Sequence, residues 1–236
     1  PSVYVEEIAS LPPSVVAVST AIPAFIGYTQ KQPSDSIEAQ RINSMQEFEI
    51  LFGGAFPEAF SAQIEQNAEG DDVTEITKPD MPSYRLYYSL QMFYANGGGA
   101  CYIVSVGLYE DDYDTDAGSL LLQGLDAINR EDEPTLILFP DVAAVLDDGA
   151  VPSVEAIGRF YGIFQQALQK CAELKYRFTL IDLHLGDQGV DFVNGVIQEF
   201  RDNIGGNNLS YGAAYYPWLL TNLSYAYEES AVLISD

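Results

Sequence analysis

The chain has 236 residues, 47% of them hydrophobic, enough for one large domain or two small ones and too apolar for a disordered chain. Ten Lys and Arg against 35 Asp and Glu leave a net charge of −25, which excludes nucleic acid as a partner, because phosphate binding needs clustered cations, and disfavours anionic membranes for the same reason. No apolar run approaches the ~18 residues of a membrane span, and the opening PSVYVEEI carries no secretory signal, so a cytoplasmic protein is expected.

Residues 1–8 alternate Val3 and Val5 against Ser2, Tyr4 and Glu6, the period of a strand. Pro12 and Pro13 interrupt regular structure and read as a hinge into the globular part. A strand set off by such a hinge must fold back or add to another sheet edge. Residues 22–28 form a short apolar run, and 44–52 a short helix ending at Gly53 and Gly54. The stretch 55–82 is polar, acidic and proline-containing, and reads as an insertion or long surface loop.

Ser83 is then expected to cap a helix whose apolar face carries Leu86, Leu90 and Phe93. That helix stops at the run Asn96-Gly97-Gly98-Gly99, and 101–106 reads as a buried strand. Leu121, Leu125 and Ile128 mark the next helix and 135–139 the next strand. The strongest helical stripe follows, with Ser153 as cap, Glu155 at the positive end, and Ile157, Phe160, Phe164, Leu168 and Cys171 on one face. Residues 177–183 form a strand, Val193, Val196, Phe200 and Ile204 a further helix, and 210–216 a last strand. This alternation predicts an α/β fold, a mainly parallel sheet covered by helices on both faces, with extended terminal arms.

Ligands of such sheets bind beyond the carboxyl ends of the strands. There the sequence offers Asp141, Asp182 and His184, with Asp187 close behind. Asp182 and His184, two apart, would share a face if the strand continued through them. A His beside carboxylates can hold a metal or act as acid and base, so an enzyme or a small-ligand or metal-binding protein is one reading. Yet this is the chain's one His. The acidic run 110–116 fails the register of a calcium loop, with Ala117 where its glycine belongs. The glycines at 97–99 follow a helix and precede a strand, the reverse of a phosphate loop. There is no Gly-x-Ser-x-Gly elbow. Cys101 and Cys171 sit in apolar patterns and read as small buried hydrophobes. No catalytic residue, cofactor or metal is expected. Sixteen tyrosines serve a core or an interface equally well.

Three segments resemble contractile tail-sheath proteins of phage tails and related injection systems. They are Pro1-Ser2-Val3-Tyr4-Val5-Glu6-Glu7-Ile8 with Ile22-Pro23-Ala24-Phe25-Ile26-Gly27-Tyr28-Thr29, then Asn96-Gly97-Gly98-Gly99-Ala100-Cys101-Tyr102-Ile103-Val104, and Ala213-Ala214-Tyr215-Tyr216-Pro217-Trp218. The resemblance implies a structural subunit that assembles in the cytoplasm with copies of itself, stacking as hexameric rings into a helical sleeve. Its other implied partners are an inner tube protein, a baseplate and terminator proteins, and contraction of the sleeve drives the tube through a target envelope. It makes Val3, Tyr4, Val5, Glu6 and Glu7 an inter-subunit arm and Pro12 and Pro13 its hinge. The expected organisation is an arm and hinge over 1–20 and a sheath domain over 21–220. Members of the family continue further, so 221–236 is expected to be an extended segment leading to a missing C-terminal region.

Overall fold

Strand β1 (Pro23–Thr29) is buried along its whole length, the mark of a strand covered on both faces rather than one. It lies between β5 (Cys101–Leu108) and β6 (Leu136–Leu138), parallel to both. Beyond β6 come β7 (Phe178–Ile181) and β8 (Gly212–Ala214), also parallel, and on the far side of β5 the short β2 (Ala39–Ile42) runs antiparallel. The order is β2-β5-β1-β6-β7-β8, so the α/β fold and the mainly parallel sheet are as expected. The computed structural model describes residues 21–66, 72–77, 82–109, 117–146, 152–187 and 193–235.

The period of two sorts the core. Phe25 and Ile103 face one way and join Phe48 and Phe52 of α1 (Met45–Phe52) with Leu86 and Leu90 of α2 (Leu86–Ala95). Ala24, Ile26, Val104 and Ile137 face the other way. They meet Leu121, Leu125 and Ile128 of α3 (Ala117–Ile128) and Phe160, Phe164 and Leu168 of α4 (Val154–Leu174), with Ile204 of α5 (Val193–Ile204) at the margin. Both faces of the sheet are therefore dry. Cys101 and Cys171 are buried free thiols, and burial pushes each up to about 11, which leaves them unreactive at neutral pH.

Local chemistry explains the helix starts. The Ser44 hydroxyl accepts the Glu47 N–H at 3.1 Å, and the Ser153 hydroxyl accepts the Ala156 N–H at 3.1 Å, so α4 begins where its cap predicts. α2 differs. Its first turn starts at Leu86 rather than at Ser83, and its N-cap residue Arg85 supplies no side-chain cap. Ser83 instead gives its N–H and hydroxyl to the buried Glu58 carboxylate, at 2.7 and 2.9 Å. A distant acceptor has taken the serine that proximity would make a cap.

Residues 55–82 hold two strands, β3 (Ser61–Gln66) and β4 (Asp72–Thr77), paired antiparallel. The last described strand, β9 (Leu233–Ser235), joins β3 in parallel to make a second sheet of order β4-β3-β9. On its way there the chain crosses α2. The Ala226 N–H donates to the Tyr88 hydroxyl and the Ala226 carbonyl accepts from Glu58, both at 2.9 Å. Tyr225 packs edge-on against Tyr88, and Tyr227 against Phe60.

Candidate functional site

The sheet changes direction at β1. The chain leaves β1 for β5 on one side and later returns through β6 on the other. A ligand crevice belongs beyond the carboxyl ends of these two strands, beside the N-terminus of α2. Side chains of the protein itself fill that place.

Asp141 lies three residues past the end of β6 and is buried. One carboxylate oxygen accepts the Tyr28 N–H at 2.8 Å, where β1 ends. The other accepts the N–H groups of Arg85 at 2.5 Å and Leu86 at 3.1 Å, which open α2. An internal carboxylate thus occupies the positive helix end that would hold an anion. Burial pushes this carboxyl up to about 6, against the pull of three N–H groups and the Arg85 charge. The arrangement needs a glycine at 27, because a Cβ there would overlap the Asp141 carboxylate and the Leu86 side chain.

An aromatic cluster closes the same end. Tyr84 stands 5.9 Å from Tyr28, 5.1 Å from Phe56 and 4.5 Å from Tyr109 between ring centroids. Alongside, Arg85 lays its guanidinium over the Trp218 ring at 4.8 Å, a cation–π contact on a half-buried indole. Trp218 is itself fixed: its backbone N–H donates to the Gly186 carbonyl at 2.7 Å, and its ring lies so close to Gly186 that a Cβ there would overlap it.

The three sequence-predicted residues do not form one centre. β7 ends at Ile181, so Asp182 and His184 lie past the strand and do not share its face. Burial raises the Asp182 carboxyl and the nearby Arg85 charge lowers it. His184 turns to the helical layer instead. Its ring Nδ1 lies 2.9 Å from Glu199 of α5, its backbone N–H donates to the Tyr161 hydroxyl of α4 at 3.2 Å, and Phe160 packs on the ring. Among the described residues no group of three or more His, Cys, Asp or Glu stands together as metal ligands, and no helix is long and apolar enough to cross a membrane. The arm residues Val3, Tyr4, Val5, Glu6 and Glu7 and the hinge Pro12 and Pro13 lie outside the described residues.

Sequence reasoning passed over Arg85, Glu199, Gly27 and Gly186, whose roles depend on partners far along the chain. It also passed over a compositional signal. Residues 203–227 contain no Asp, Glu, Lys, Arg or His, although a chain that is 19% charged would place about five in a stretch that long. This belt runs from the end of α5 through β8 and Trp218 to Tyr227.

No protein-family model matches the chain, and no curated protein matches it. Solved structures do. A chain in the structure of the anti-feeding prophage baseplate in its contracted state aligns over 94% of this chain, with a TM-score of 0.56 and 22% identity. A chain in the contracted helical sheath of the same prophage aligns over 92%, with a TM-score of 0.47 and 24% identity. This chain spans about half the length of each, 48% and 44% respectively. The chain thus has the fold of a chain in the contracted anti-feeding prophage baseplate.

Proposed function

We propose that this chain is part of a structural subunit of a contractile tail sheath, which polymerises around an inner tube and contracts to drive it through a target envelope. The observation that carries the reading is the fold, shared along 94% of the chain with a chain of a contracted baseplate. The motifs at 1–8, 22–29, 96–104 and 213–218 support the same family from the sequence side.

The strand ends support a non-enzymatic role. Both carboxylate oxygens of Asp141 accept from backbone N–H groups and so hold β1 and α2 together, and His184 fastens α5 to the segment after β7. Two of the three polar groups that invited a catalytic reading, Asp141 and His184, thus hold one element to another. A rigid body of this kind suits a subunit that must move as a unit when its lattice rearranges.

In this reading Val3, Tyr4, Val5, Glu6 and Glu7 add a strand to a neighbouring subunit, and Pro12 and Pro13 let the domain rotate while that strand stays bound. The partners are other copies in ringed layers, a tube protein, and the baseplate and terminator at the two ends. Assembly takes place in the cytoplasm. Negative-stain electron microscopy of the protein at its full natural length tests this. Hollow sleeves are expected, and they should be lost when residues 1–12 are deleted while the circular dichroism spectrum of the domain is retained. Normal sleeves from the deletion would remove the arm from the mechanism, and a protein that forms none even with its tube and baseplate would remove the sheath reading.

A further inference from the structure

We propose that Glu58 is the pin of a joint that sets how the second sheet, β4-β3-β9, stands against the α/β body. Among the described residues β3, β4 and β9 pack extensively only on one another, and no helix or strand of the body lies broadly against them. Two parts joined without a large apolar interface move relative to each other unless something specific fastens them. The chain passes between these two parts three times: ahead of β3, between β4 and α2, and between β8 and β9. All three passages meet at Glu58.

Glu58 lies on the first passage, shortly before β3, and is 4% exposed. A carboxylate this buried is costly unless its oxygens are bonded. Both are committed to the second passage: one accepts the Ser83 N–H at 2.7 Å and the other the Ser83 hydroxyl at 2.9 Å. The backbone N–H of Glu58 reaches the third passage, donating to the Ala226 carbonyl at 2.9 Å. The Ala226 N–H in turn donates to the Tyr88 hydroxyl of α2 at 2.9 Å, which ties the crossing to the body. Rings brace it on both sides. Tyr225 packs on Tyr88 of the body, and Tyr227 on Phe60, next to β3. One residue therefore supplies the fastening that a broad interface would otherwise give, and a load on the second sheet reaches the body through it. Ser83 and Tyr88 are the positioning partners of the same joint.

The joint concerns the arrangement within one chain, so its test needs no assembly and is independent of the sheath reading. Spin labels at Ile76→Cys in β4 and Gln166→Cys in α4, both exposed positions, report the distance between the two parts by double electron–electron resonance. Cys101 and Cys171 are buried and stay unlabelled. The protein with Glu58 intact should give one narrow distance, and Glu58→Ala should replace it with a broad distribution. A control pair, Ile50→Cys with Gln166→Cys on helices covering opposite faces of the main sheet, should stay narrow in both, with the circular dichroism spectrum retained. Ser83→Ala removes one of the two side-chain bonds and Tyr88→Phe removes only a hydroxyl, and each should broaden the first distance to a lesser degree. A first distance left narrow by Glu58→Ala, or by both milder variants if Glu58→Ala does not fold, would overturn the joint. So would a distance already broad with Glu58 intact, or equal broadening of the control pair.

Discussion

Asp141 gathers three backbone donors from two segments, at positions 28, 85 and 86, and so caps the start of α2, where the N-cap residue Arg85 supplies no side-chain cap. Asparagine keeps the shape but offers one acceptor oxygen and turns an NH₂ toward N–H groups. Asp141→Asn should therefore cost about 1–3 kcal/mol at neutral pH, measured by urea unfolding, for the donors left unpaired. The pH dependence has a definite sign. The folded-state value of about 6 lies above the ordinary 3.8, so between them the folded state holds more proton than the unfolded state. The part of the Asp141 contribution that is linked to protonation is thus fully present below about 4 and is lost as pH rises through about 6. The stability gap between wild type and Asp141→Asn should widen as pH falls from 6 to 4, and a gap that narrows would contradict the assignment. Gly27→Ala should destabilise by about 1–3 kcal/mol through overlap with the same carboxylate. Asp141 was legible in the sequence as a strand-end polar residue. Its employment was not, because its partners lie 113, 56 and 55 residues away.

Where an element carried a long apolar period, the sequence located it: α4 with its Ser153 cap, the stripe of α5, and the buried runs of β1 and β5. Elements escaped for stated reasons. β2 is four residues at a sheet edge with two exposed polar positions, and β3 with β4 lies in polar sequence whose pairing supplies the order. Ser83 imitates a cap because Pro82 precedes it, and Glu58, 25 residues earlier, claims it. Two measurements test these assignments. Ser153→Ala should lower stability by about 1 kcal/mol through loss of the Ala156 N–H acceptor, whereas Ser83→Ala should leave the helix content of α2 unchanged, since Asp141 rather than Ser83 holds its first turn. At the opposite face, Glu199→Ala removes the partner of His184 and leaves a 7% exposed imidazole without its carboxylate. A loss of about 1–3 kcal/mol is expected, accompanied by faster amide exchange in α5 but not in α4, whose own cap and buried face are untouched. Equal acceleration in both helices would mean that the pair stabilises the whole layer rather than fastening α5.

A net charge of −25 spread over 236 residues acts on the fold as a whole, beyond any one pair. The described ion pairs Arg41–Glu133 and Lys170–Glu173 are exposed, and such pairs contribute little. The dominant electrostatic effect is repulsion among carboxylates, which compaction intensifies. Added salt shortens its range, to about 10 Å at 0.1 M and about 3 Å at 1 M. The thermal midpoint should therefore rise with sodium chloride at neutral pH, and the rise should shrink as the pH falls toward the carboxylate range and the charge is titrated away. Differential scanning calorimetry over a grid of salt and pH reads both trends. A midpoint that falls with salt would mean that attractive surface pairs outweigh the repulsion, and a salt effect independent of pH would assign it to the hydrophobic core. The same repulsion acts between copies of the chain, so any contact between them must overcome it, and salt lowers that cost as it lowers the cost of compaction.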